Sequence, residues 1–177
     1  MISPFEATLL SLYLFRPCSR YEGMKMIQNQ SLYWAGSPGA VYSALARLVD
    51  KKLIERLDGE EPSIYKTTAA GRRALLAYAG IPVPARKLIV DPSLVRAKLR
   101  ILYEFSAADR LVFYERQLVE YPKAKQLVLD KRTGNLGRPI SQELSDLALT
   151  QLEMEHQFIL GLKKQELLAK ANHKPRS

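Results

Sequence analysis

Residues 37–68 constrain the fold more than any other part of the chain. Ser37 is a good helix N-cap, and Pro38 behind it suits the first helical position, where a missing N–H is no loss. Val41, Ala44, Leu45, Leu48 and Val49 then recur at helical spacing as an inward face. The outward face carries Gly39, Tyr42, Ser43, Ala46, Arg47, Asp50 and Lys51. A helix is therefore expected over about 38–51. Residues 53–57 read as a short strand, Asp58-Gly59 is a strong turn signal lengthened by Glu60-Glu61-Pro62, and residues 63–67 read as the returning strand.

Helices are expected on both sides. Over residues 4–14, Phe5, Leu9, Leu12 and Tyr13 share one face. Ser19 can cap a second helix to about residue 28, with Tyr21, Met24 and Ile27 apolar at intervals of three; Gly23 inside it costs roughly 1 kcal/mol against Ala. Thr68 can cap a fourth, through Leu75, Leu76 and Tyr78. The two prolines of Gly80-Ile81-Pro82-Val83-Pro84 cannot continue a helix, so a domain boundary is placed there, giving 1–80 and 81–177.

The second part reads as helical throughout. Asp91 and Ser93 open a helix through Leu99, Leu102 and Phe105, and Ser106 with Asp109 resembles a capping box. The helix that follows should be interrupted or kinked at Pro122 before running on to Leu129; Gly134, Gly137 and Pro139 mark a loop. A last helix over about 141–171 carries a broad apolar stripe that includes Leu144, Leu152, Phe158, Ile159 and Leu162. About 30 helical residues span roughly 45 Å, more than a domain of about 95 residues with a radius of gyration near 13 Å can cover. Part of that stripe is expected to meet a partner chain. The fold class is thus mainly α, an N-terminal winged helix-turn-helix with a C-terminal antiparallel helical dimerisation domain.

Other classes are poorly served. The lone Cys18 excludes an intrachain disulfide and multi-cysteine metal sites, which fits the cytoplasm. The apolar run 7–15 is far too short for a membrane span, and Glu6 stands where a signal peptide would be basic, so a buried first helix is expected. His156 and His173 are far apart, neither carboxylate pair (Glu60 with Glu61, Glu153 with Glu155) converges on one point, and no Walker loop, GxGxxG or HExxH occurs. No catalytic set, cofactor or metal is called for.

The net charge is +9, which draws a chain towards polyanions. Residues 1–80 hold 10 Lys/Arg against 7 Asp/Glu, and residues 81–177 hold 17 against 11, so most of the excess lies outside the first part. A helix-turn-helix offers double-stranded DNA the N-terminal end of its third helix. The amides after Ser37 suit a phosphate, Gly39 lets the backbone come close, Tyr42 and Ser43 can donate to phosphates or base edges, and Arg47 can reach a phosphate or grip a guanine. Lys51 lies further along this face, and Tyr65 and Lys66 of the hairpin are candidates for the flanking backbone. Taken singly, Tyr42 also suits a core rim and Arg47 a solvated helix face.

The run Ser37-Pro38-Gly39-Ala40-Val41-Tyr42-Ser43-Ala44-Leu45-Ala46-Arg47-Leu48, then Lys52-Leu53-Ile54, and Tyr65-Lys66-Thr67-Thr68-Ala69-Ala70-Gly71-Arg72 resemble the PadR family of bacterial transcriptional regulators. The second half is similar to its larger, virulence-activator-like members, at Arg96-Ala97-Lys98-Leu99-Arg100 and Leu118-Val119-Glu120-Tyr121. The resemblance implies a homodimer on a palindromic operator, with Tyr21, Tyr42 and the surroundings of Gly39 facing DNA. It implies dimerisation by the C-terminal helices against the partner's first helix, where Leu9 and Leu12 lie. It also implies a small aromatic or lipophilic effector, for which Tyr33, Trp34 and Tyr103 are candidate lining residues. Two departures stand out. Ser19-Arg20-Tyr21 replaces the family's His-Gly-Tyr, and the normally basic wing tip reads Gly59-Glu60-Glu61-Pro62, so that Arg20 is left to compensate. The alternative reading is a winged-helix adaptor that binds protein and little or no DNA.

Overall fold

The structure is a computed structural model that describes residues 2–30, 37–57, 62–91, 93–134 and 139–172. The chain divides into two compact units, Met1–Ala79 and Gly80–Ser177.

In the first unit, α1 (Pro4–Phe15), β1 (Cys18–Ser19), α2 (Arg20–Gln30), α3 (Pro38–Asp50), β2 (Ile54–Arg56), β3 (Ile64–Thr67) and α4 (Ala69–Ala79) follow in order. The strands form an antiparallel sheet in the order β1-β3-β2. Tyr65 of β3 stands opposite Arg56 on one side and Cys18 on the other. This is a winged helix-turn-helix: three helices followed by a hairpin, with the segment before α2 lending the third strand.

Helix α1 is the hub. It packs against α2, α3, α4 and β3, which is why Ala7, Leu9, Leu10, Leu12 and Tyr13 are all buried although they do not share one face. Gly23 has a steric reason: a Cβ there would lie 2.3 Å from the Tyr13 hydroxyl, which donates to the Ser19 carbonyl. Ser19 caps α2 in a box with Glu22: the Glu22 N–H donates to Ser19 Oγ at 3.2 Å, and the Ser19 N–H to Glu22 Oε2 at 2.8 Å.

Helix α3 starts at Pro38 with Ser37 Oγ accepting the Ala40 N–H, and buries Val41, Ala44, Leu45 and Leu48. It ends in a Schellman motif. The Leu53 N–H donates to the Leu48 carbonyl at 2.9 Å and the Lys52 N–H to the Val49 carbonyl at 2.8 Å, with Lys52 at φ 55°.

The second unit comprises α5 (Ala85–Val90), α6 (Ser93–Leu102), α7 (Ala107–Leu118), α8 (Glu120–Gly134) and α9 (Pro139–Asn172). The segment before α5 is pinned to α7: the Val83 N–H donates to Gln117 Oε1 at 2.7 Å, and Gln117 Nε2 returns a bond to the Val83 carbonyl. The helix expected to kink at Pro122 instead breaks earlier, at Val119. Pro122 then falls in the first turn of α8, where its missing N–H leaves no bond unmade. Helix α9 has 34 residues, about 51 Å at 1.5 Å per residue. It lies along α7 and α8, tied by Arg132–Asp146 at 2.8 Å, Lys163–Glu115 at 3.2 Å, Arg110–Glu166 and Lys125–Glu153.

Candidate nucleic-acid interface

The outward face of α3 stands open. Ser37, Gly39, Tyr42, Ser43, Ala46, Arg47, Asp50 and Lys51 are all exposed, Tyr42 at 40%. Among the described residues, a Cβ built on Gly39 would meet nothing within 4 Å, so no packing among them demands glycine there.

Towards its C-terminal end α3 is tied to α1. Arg47 Nε donates to Glu6 Oε1 at 3.0 Å, and Lys51 Nζ donates to both Glu6 oxygens, at 3.0 and 3.2 Å. The Ser3 N–H donates to Glu6 Oε2 at 2.9 Å, and the Glu6 N–H donates back to Ser3 Oγ, completing a capping box. Burial alone would raise the Glu6 carboxyl, but the Ser3 amide, Lys51 and Arg47 outweigh it and hold the group down at about 2. Glu6 is therefore an anionic anchor beneath the exposed stripe. Ser3-Pro4-Phe5-Glu6 is legible as a capping box, whereas its cations stand 41 and 45 residues away in sequence.

The hairpin offers less than its sequence promised. Tyr65, a candidate for the flanking backbone, is 7% exposed and lies under the Arg20 guanidinium at 4.9 Å, because β3 is the central strand. Lys66 is paired with Glu55 across the ladder at 3.3 Å. Arg20 Nε is buried with no hydrogen-bond partner among the described residues, so Arg20 belongs to this packing more than to an open face. Tyr21 is 53% exposed, with Lys25 Nζ over its ring at 4.9 Å. The acidic wing tip lies outside the described residues.

The residues assigned to dimerisation separate into two groups. Leu9 and Leu12 are 0% and 3% exposed, consumed by the packing of α1 at the hub, and Leu152 and Ile159 are likewise buried within the chain. Leu162 is half-buried, while Leu144 and Phe158 are 59% and 56% exposed. Leu147, Met154, Leu167 and Leu168 of α9 are exposed as well. Of the effector candidates, Tyr103 is exposed, with the Arg110 guanidinium 5.6 Å from its ring centroid; Tyr33 and Trp34 lie outside the described residues. Among the described residues no group of His, Cys, Asp and Glu is placed to hold a metal ion, and no helix is long and apolar enough to cross a membrane.

No protein-family model matches the chain, and no curated protein matches it either. Solved structures do. The chain is similar to Bacillus subtilis PadR in complex with operator DNA, at 14% identity and a TM-score of 0.42 over 92% of this chain and 98% of that one. It is similar to the same regulator in complex with p-coumaric acid, at 13% and 0.44 over 93% and 99%. It is also similar to a PadR-like transcriptional regulator from Bacillus cereus, at 14% and 0.40 over 93% and 98%.

Proposed function

We propose that this chain is a DNA-binding transcriptional regulator of the PadR type and not an enzyme, working in the cytoplasm as a homodimer on a palindromic operator. The observation that carries the reading is the open polar stripe of α3, with Gly39, Tyr42, Ser43 and Arg47 exposed on a capped helix whose opposite face is core. Helix α3 would enter the major groove, with Tyr42 and Ser43 donating to phosphates or base edges and Gly39 admitting the sugar-phosphate backbone. The exposed apolar residues of α9, Leu144 and Phe158 among them, would pair with a second copy. Two copies of α3 would then lie about 34 Å apart, one DNA turn, or a multiple of it. A small aromatic or lipophilic effector would tune binding.

Selection from a random duplex pool tests this. A symmetric enriched site whose binding weakens with salt is expected. Unchanged affinity for that site after replacing both Tyr42 and Arg47 by Ala would defeat the assignment of the face. The adaptor reading has one observation in its favour, a hairpin whose Tyr65 is buried and whose Lys66 is paired. Absence of any bound duplex at low salt would favour it.

A further inference from the structure

Among the described residues, the Arg47 side chain makes its bond through Nε and not through its terminal nitrogens. A guanidinium held by Nε still presents its two Nη groups as a planar fork, the geometry that matches O6 and N7 of guanine. The partners differ in burial: the Arg47 side chain is 52% exposed and that of Glu6 5%, so the carboxylate is the fixed end and the fork the free one. Glu6 is itself held from other directions, by the Ser3 amide on Oε2 and by Lys51 on both oxygens. A buried carboxylate has no general stability advantage over apolar packing of the same volume. What it adds here is direction.

We infer that Glu6 is a positioning residue for base recognition: by holding Nε it aims the Nη fork of Arg47 at a guanine edge. This rests on the DNA-binding reading above. An unheld arginine on an exposed stripe can settle on any phosphate in reach, which raises affinity for every sequence alike. A held one is restricted to acceptors at one place in the groove. Lys51, bound to the same carboxylate, keeps α3 seated on α1 and leaves the pair of cations with one net positive charge once Glu6 is counted.

The test uses the full chain and the site enriched by selection. Every single base-pair variant of that site is measured by competition for the wild type, Glu6→Gln, Arg47→Ala and Ser3→Ala. Gln keeps the volume of Glu6 and can still accept from Ser3, but it cannot hold the two cations as an ion. Glu6→Gln and Arg47→Ala should flatten preference at the same base pair, each by roughly tenfold, with preference elsewhere unchanged. Ser3→Ala, which loses the cap hydroxyl alone, should flatten none. Glu6→Gln keeping the wild-type preferences, weakening every sequence uniformly, or flattening a different position from Arg47→Ala would each overturn the inference while leaving DNA binding intact. Failure of the wild type to enrich any duplex would overturn both readings. Should Glu6→Gln not fold, the Arg47 Nε–H resonance of the wild type serves instead. It should stay protected from exchange on the enriched duplex, and loss of that protection on binding would overturn the inference.

Discussion

Acid should loosen the seat of α3 through one carboxyl group. Glu6 falls from its ordinary 4.5 to about 2 on folding, because the Ser3 amide, Lys51 and Arg47 outweigh the effect of burial. A group depressed in this way adds stability that is fully present above the unfolded value and is lost as pH falls through the folded one. At 1.36 kcal/mol per tenfold, the drop corresponds to about 3 kcal/mol at neutral pH, of which about two-fifths remains at pH 3. Replacing Glu6 by Gln removes this contribution at every pH. Wild type and Glu6→Gln should therefore differ by about 3 kcal/mol at pH 7 and by about 2 kcal/mol less at pH 3. Urea titrations followed by circular dichroism measure the difference at pH 7, 5, 4 and 3. Other carboxyls titrate in the same window: Glu22, held low by Ser19, and Glu120, held low by Lys123. Both are present in wild type and variant and cancel in the difference. A wild-type advantage that stays constant from pH 7 to pH 3 would refute the assignment of a depressed, anchoring carboxylate.

Gly71→Ala should destabilise the first unit by about 2–4 kcal/mol, since the new Cβ would lie 2.1 Å from the Leu53 carbonyl and 2.8 Å from Thr67 Cγ2, and a gain of about 1 kcal/mol in helix propensity does not offset that; urea denaturation checks it. Lys52→Gly should stabilise by roughly 0.5–1 kcal/mol, because Lys52 sits at φ 55° and glycine relieves the left-handed strain at some entropic cost in the unfolded chain, as a shift in denaturation midpoint would show. Gly39→Ala should leave stability equal or slightly raised, its Cβ meeting nothing within 4 Å among the described residues, yet weaken binding to the selected DNA in a gel shift. On the proposed pairing through α9, Phe158→Asp should give monomer where the wild type gives dimer in light scattering, without loss of helicity, since that side chain is 56% exposed.

The parts of this fold legible in the sequence are those whose signals are local. Ser37-Pro38 marks the start of α3 because a cap and its helix are neighbours. The Ser19 and Thr68 caps act likewise, Thr68 Oγ1 accepting the Gly71 N–H at 3.0 Å. What stayed hidden depends on partners distant in sequence. The two residues of β1 have no periodicity of their own and are a strand only because β3 lies beside them. Tyr65 reads as an exposed hairpin residue because alternation says which residues share a face, not whether the strand is central. A resemblance, not the residues themselves, points Leu9 and Leu12 at a partner; α1 packs on four elements and leaves them inside. Two prolines hide the short helix α5, whose first N–H is satisfied by Glu120, 35 residues on.

Charge and pairing are linked in the proposed function. The first 80 residues hold a net charge of +3, and within it Arg47 and Lys51 share one carboxylate while Lys66 is paired with Glu55. A single reading head of so modest a net charge has little sequence-independent affinity for DNA. In the proposed dimer, two heads joined through α9 would convert the second encounter into an intramolecular one, which raises overall affinity by orders of magnitude without a new contact. On this reading the exposed apolar stripe of α9 and the modest charge beside α3 are two sides of one arrangement. Weak heads cannot be held on random sequence by phosphate attraction, so occupancy depends on two correctly spaced half-sites. Phe158→Asp should therefore cost far more affinity for a full palindrome than for an isolated half-site, and equal losses on the two would show that pairing contributes nothing to recognition.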